Sequence, residues 1–124
     1  MTRTTVHSGA PWEAAYGYCR AVRIGDTIAV SGTTAPGDDA RAQTLAALSV
    51  ALDAVFQLGG EPSDVIRTRM YVTDIARDAE AVGRAHATVF GDSPPAATMV
   101  EVSRLIDDHL LVEIELDAVL EPET

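Results

Sequence analysis

Three carboxylates stand at alternate positions near the end of the chain: Glu113, Glu115 and Asp117. Alternate side chains of an extended strand share a face, so all three point the same way. Mutual repulsion, or partial burial at a subunit contact, raises the pKa of at least one toward the range of a working general acid or base. Glu113, nearest the start of the strand and a cleft beside it, is the candidate catalytic group. Asp117 reads as part of a solvated strand face.

Two arginines, Arg67 and Arg69, flank Thr68 in a stretch dense in strand formers. An arginine on a strand must meet solvent or an acid. Arg69 is therefore either a bidentate clamp for a substrate carboxylate or the partner of Glu113 or Glu115 in a salt bridge across strands or subunits. His86 lies on the apolar side of a helical segment, where it serves as a hydrogen-bonded structural histidine or as an acid or base in a cleft. Tyr16 and Tyr18 precede the first expected strand, and a tyrosine there walls a pocket with its hydroxyl wet, or simply packs. His7 and His109 have no recognisable partners, and Cys19 has no base beside it in sequence.

The elements that position these groups follow from periodicity. Tyr18 to Ile24 and Thr27 to Ser31 are β-favouring runs separated by Gly25-Asp26, which predicts a hairpin. Thr33 to Arg41 is a loop whose Asp38 or Asp39 caps a helix from Ala40 to Leu58, with Leu45, Leu48, Leu52, Val55 and Phe56 on its apolar face and Gly59-Gly60 as its stop. VIRTRMYV, residues 65–72, is a central strand with Arg67, Arg69 and Tyr71 on one face and Ile66, Thr68, Met70 and Val72 on the other.

A second helix spans Asp78 to Phe90, with Ala79, Val82, His86 and Val89 on one side. Ala97 to Val102 is a strand, and LLVEIELDAVL, residues 110–120, is the most legible one: Leu110, Val112, Ile114, Leu116 and Ala118 alternate with Leu111, Glu113, Glu115, Asp117 and Val119. The order ββαβαββ predicts an α+β domain spanning residues 1–124, one sheet with two helices on one face. Its other face is half polar, which suits contact with another subunit and clefts between chains.

Composition narrows the function. The chain has 124 residues, 47% hydrophobic and 23% charged, within the range of one folded domain. All nine basic residues are arginine, against nineteen acidic ones, for a net charge of −10. Such a field repels phosphate backbones and anionic membranes, so neither nucleic acid nor membrane is an expected partner. With no lysine there is no Schiff-base or P-loop lysine. One cysteine and three scattered histidines form no metal pattern, so no metal and no cofactor is expected. The N-terminal stretch has no signal-peptide pattern and no apolar run approaches a bilayer span, so the expected setting is the cytoplasm.

GYCRAVRIGDTIAVSG at the start, QTLAALSVALDAVFQLGGEPSDVIRTRMYVTD in the middle, and PPAATMVEVSRL followed by LLVEIELDAV at the end together resemble the Rid (YjgF-like) superfamily, whose best-known members are enamine and imine deaminases. The resemblance covers nearly the whole chain. It implies a RidA/chorismate mutase-like layer that closes into a homotrimeric barrel with three inter-subunit clefts. It further implies a mechanism in which an arginine holds the substrate carboxylate and a glutamate positions or activates the water that attacks C=N. The glutamate maps onto Glu113 and the cleft tyrosine onto Tyr18. The arginine belongs in a P-A-R-S-like motif, and here the sequence reads Pro95-Ala96-Ala97-Thr98, so Ala97 takes its place.

The expected substrate site is thus Tyr18, Arg69, His86, Ala97, Thr98 and Met99 around Glu113. The expected activity is hydrolytic deamination of a small imine, enamine or related carbonyl compound that lacks the usual carboxylate or holds it by Arg69. A non-catalytic trimer that binds a small metabolite is the alternative. Ribonuclease activity, also associated with the family, is disfavoured by the charge and the lack of a basic patch.

Overall fold

The computed structural model describes residues 2–122. One mixed sheet of six strands carries the fold: β1 (Arg3–Val6), β2 (Ala21–Ile24), β3 (Thr27–Thr33), β4 (Val65–Val72), β5 (Ala96–Glu101) and β6 (Val112–Val119). Their spatial order is β1-β2-β3-β6-β4-β5. Only β4 and β5 run parallel, joined by the crossover helix α3 (Ile75–Phe90), while the other neighbours are antiparallel. Helix α2 (Ala40–Gln57) packs beside α3 on the same face of the sheet, and a six-residue helix α1 (Pro11–Tyr16) links β1 to β2.

The expected ββαβαββ order is present, preceded by β1 and α1, which the sequence reading did not assign. Strand β1 is short and lies at the sheet edge with three exposed residues, so it carries no hydrophobic alternation to betray it. Helix α1 is too short for a 3.6-residue period to register.

Alternation on β6 holds throughout: Val112, Ile114, Leu116 and Ala118 are fully buried under the helices. Strand β4 departs from the expected pattern. The alternation predicts Ile66 on the apolar face, yet it is 52% exposed and Val65 is buried in its stead. The cause is a bulge: Val65 pairs with Ala118 and Arg67 with Asp117, so two steps on β4 match one on β6 and the side-chain alternation resets.

Helix α2 starts where expected, with Asp39 accepting a hydrogen bond from the Ala42 amide at 2.8 Å. Its buried stripe is rotated from the expected one. Ala47, Leu48, Ala51, Ala54 and Val55 face the sheet, and Phe56 is 73% exposed. Small alanine side chains let the helix axis approach the sheet closely, and the dense contact outweighs the larger leucine-phenylalanine stripe. Helix α3 begins at Ile75 rather than Asp78, because Asp74 caps it through the Arg77 amide. Among the described residues no helix is long and apolar enough to cross a membrane, and no group of three or more His, Cys, Asp and Glu side chains is placed to hold a metal ion.

Candidate functional site

The open face of the sheet, away from α2 and α3, carries Glu113, Glu115 and Asp117 on β6 and Arg69 and Tyr71 on β4. Two of the three acids are occupied by neighbours. Asp117 lies 3.3 Å from the Arg69 guanidinium, with both side chains more than a third exposed, and Glu115 accepts a hydrogen bond from the Tyr71 hydroxyl. The phenol is consequently held protonated above its ordinary range, chiefly by that bond, then by burial and the charge of Glu115.

Glu113 is the acid left facing a cleft. A cavity of about 340 Å³ is lined by Glu113, Gly32, Arg20 and Tyr18, together with residues of the N-terminal hook that include Trp12, Glu13 and Tyr16. Glu113 is half-buried, and desolvation raises its pKa above the usual carboxylate value. The positive charge of Arg20 opposes that shift and the negative charge of Glu115 adds to it. An acid of this kind exchanges protons nearer neutrality than a solvated glutamate.

Strand β3 shapes the floor beneath it. Val30 pairs with Leu116 and Thr33 with Ile114, so Ser31 and Gly32 form a bulge opposite Glu115. The bulge presents Gly32 to the Glu113 side chain: a Cβ on residue 32 would stand 2.5 Å from Oε2. Arg20 fixes this bulge. Its Nη2 donates to the Gly32 carbonyl at 2.8 Å and its Nη1 to the Thr33 hydroxyl at 3.2 Å.

The wall comes from the hook at residues 7–18. Glu13 is buried and accepts hydrogen bonds from the Ser8 amide and hydroxyl and, at 3.2 Å, from a ring nitrogen of His7. These bonds, the Ser8 hydroxyl first, hold its carboxyl below the ordinary pKa against the opposing effect of burial. Gly17 ends α1 in the left-handed conformation, φ 77°, which turns the chain so that Tyr18 and Arg20 follow on the cleft side. Trp12 and Tyr16 stack at 5.3 Å between ring centroids and stand exposed at the cleft mouth.

Residues 8–120 match the family described as Endoribonuclease L-PSP. The chain belongs to this family, the Rid (YjgF-like) superfamily. As a Rid protein it is similar to Rv2704 of Mycobacterium tuberculosis, whose crystal structure is described as that of a member of the highly conserved YjgF/YER057c/UK114 family. The two are 52% identical, with 96% of this chain and 100% of that one covered and a TM-score of 0.93. An uncharacterized protein of Streptomyces coelicolor, SCO2049, is 41% identical over 120 residues, 91% of this chain and 89% of that protein. A RutC family protein of Saccharolobus solfataricus is 31% identical over 110 residues, 82% and 85% of the two chains.

Within one chain of this Rid fold the residues expected at the site stand in different places. Glu113 and Tyr18 line one cleft. Arg69 does not line it and is paired with Asp117 instead. His86 lies on the opposite side of the sheet, 2.8 Å from the hydroxyl of fully buried Thr68 and packed on Phe90, with burial depressing its pKa. Ala97 and Met99 pair with Thr68 and Met70 and so share the helix side of the sheet, whereas Thr98 pairs with Arg69 on the open side. All three sit on β5, two strands away from Glu113.

Arg20, Glu13, Ser8 and Trp12 were not singled out from the sequence. A signal for Arg20 was there, since residues 18 and 20 of an extended segment point the same way. Glu13 left none, because its role depends on the fold of a hook that has no period.

Proposed function

We propose that the chain hydrolyses a small imine or enamine, or a closely related carbonyl compound, at Glu113. The observation that carries this reading is the half-buried carboxylate of Glu113, freed of the neighbours that occupy Glu115 and Asp117 and facing a cleft beside Tyr18. In the reaction the ionised carboxylate takes a proton from water as the water oxygen bonds to the imine carbon. The C=N electron pair moves onto nitrogen, which is protonated, and the carbinolamine then expels ammonia and leaves a ketone. The balance is imine plus water to ketone plus ammonia, with no electron to supply and no cofactor called for.

The names carried by similar proteins include putative endoribonucleases, such as one from Thermotoga maritima at 23% identity, a likeness that speaks to the fold alone. For this chain a net charge of −10 and a cleft that, among the described residues, combines one arginine with two glutamates oppose the binding of a polyanion. Assembly into a homotrimer is part of the proposal. Exposed Val100 and Val119, and the half-exposed polar face of β4 and β6, are surfaces suited to a second copy of the chain.

The deciding experiment measures ketone and ammonia release from imines generated in situ, with wild type beside Glu113→Gln. Turnover by the wild type and its loss in the variant support hydrolysis. Ligand binding by both without turnover in either overturns hydrolysis in favour of a non-catalytic binding protein. Light scattering near three times 13.1 kDa supports the trimer, and a monomer at micromolar concentration overturns it.

A further inference from the structure

Among the described residues Arg20 is the one arginine lining the Glu113 cleft. It is half-buried, and among the described residues it has no carboxylate within ion-pair distance. Its two hydrogen bonds, to the Gly32 carbonyl and the Thr33 hydroxyl, hold the guanidinium plane in place. Thr33 is itself tied down by donating to the Ser31 carbonyl at 2.8 Å. A guanidinium has five N–H donors, so this clamp leaves three uncommitted. A fork already immobilised by its own chain loses little further freedom when it meets an anion.

Position 97 of the same chain does not reach that cleft. It lies on β5, two strands from Glu113, level with Leu116 rather than Glu113, and on the helix side of the sheet, so at about 4.8 Å between strands it is more than roughly 10 Å away and across the layer. An arginine there would meet a Glu113 cleft only from another copy of the chain. Arg20, by contrast, stands on the same chain as Glu113 and lines the same cleft.

We propose that Arg20 is the anion anchor of this cleft, a specificity-determining residue that grips an oxyanion of the substrate, a carboxylate foremost, from the same chain that carries Glu113. The inference rests on the reading of the cleft as a small-molecule site. The cleft then selects a compound with its acidic group at the β3 bulge, its reactive carbon near Glu113 and its remaining substituent toward Trp12 and Tyr16.

The test compares binding of 2-oxobutyrate with that of its methyl ester by calorimetry, for wild type, Arg20→Gln and Glu113→Gln. The wild type binds the carboxylate about tenfold or more tightly over the ester, the margin expected of a charge-assisted bidentate contact. Arg20→Gln abolishes that margin, weakening the carboxylate far more than the ester. Equal weakening of both ligands would make Arg20 a mere prop for the bulge and overturn the proposal, as would a wild type without preference for the carboxylate. Should Arg20→Gln fail to fold, Arg20→Lys takes its place: it retains the charge without the planar fork and keeps a reduced preference, and a folded Arg20→Lys protein with none overturns the anchor. Glu113→Gln keeps the preference while losing turnover. An anchor without hydrolysis therefore shows as wild-type preference with no ketone released, and hydrolysis without the anchor as turnover indifferent to Arg20→Gln.

Discussion

The carboxylate of Glu113 lies against the bare α-carbon of Gly32, so close that a methyl group there would stand 2.5 Å from Oε2 and 3.0 Å from Cδ. The backbone at Gly32 is not left-handed, and alanine therefore fits the strand. What must move is the end of the Glu113 side chain. Gly32→Ala should leave the melting temperature within a few degrees of wild type while lowering kcat/KM for imine hydrolysis by roughly tenfold to a hundredfold, the scale of a 1 Å misplacement of a reacting group. Parallel thermal melts and steady-state kinetics check this. Unchanged kinetics would remove Glu113 from the reaction.

Burial raises the pKa of Glu113, and the positive charge of Arg20 restrains that rise. The folded state holds its proton more tightly than the unfolded chain, so the ionised form costs stability at neutral pH; that cost is relieved as pH falls through the folded value and is gone below the unfolded glutamate one. Glu113→Gln should therefore melt a few degrees higher than wild type at pH 7, with the difference shrinking on acidification, even as turnover is lost. The acid limb of the wild-type pH profile should lie above that of a free glutamate. In Arg20→Gln it should move to higher pH still, since the restraining charge is gone.

How much of this was legible beforehand depended on periodicity. Strand β6 announced itself by strict alternation, and with it Glu113, because burial on one face forces the register. The bulge at Ile66 carries no signal in residue type, the one at Ser31-Gly32 only the glycine within a strand-forming run, and each resets the side-chain faces beyond it. Arg69 illustrates the consequence for the site. Sequence placed it on the open face correctly, yet whether it meets Asp117 or a ligand depends on a cross-strand diagonal that only the register reveals. The hook that brings Glu13, Trp12 and Tyr16 to the cleft is held by short-range hydrogen bonds and lacks the repeating pattern from which elements are read.

His86 offers a pH probe remote from the cleft. It bonds the hydroxyl of fully buried Thr68, and burial lowers its pKa below the ordinary histidine value. The unfolded chain then binds a proton that the folded chain refuses. The contribution of the neutral ring to stability is complete above about pH 6.5, the unperturbed value, and declines as pH falls toward the lowered folded one. Thermal melts of wild type should fall between pH 7 and pH 5, and His86→Gln, which can still bond Thr68, should flatten that slope. Hydrolysis rates at pH 7 should be within about twofold of wild type, because the ring lies across the sheet from Glu113 and shares no partner with it.

Glu13 works in the opposite sense. Ser8 and His7 hold its carboxyl ionised below the usual range, so the hook gains stability that is present above the unfolded glutamate pKa and is lost as pH drops through the lowered folded one. Glu13→Ala strips the Ser8 amide and hydroxyl of their acceptor and should release residues 7–16 while the sheet core, which contains none of them, stays folded. Faster amide exchange at Ser8 and a shift in Trp12 fluorescence, with β6 amides still protected, are the expected signs. Because Trp12 and Tyr16 wall the cleft mouth, KM should rise more than kcat falls, the pattern of a lost binding wall rather than a lost catalytic group. A drop in kcat alone would mean that Glu13 itself takes part in the chemistry at Glu113.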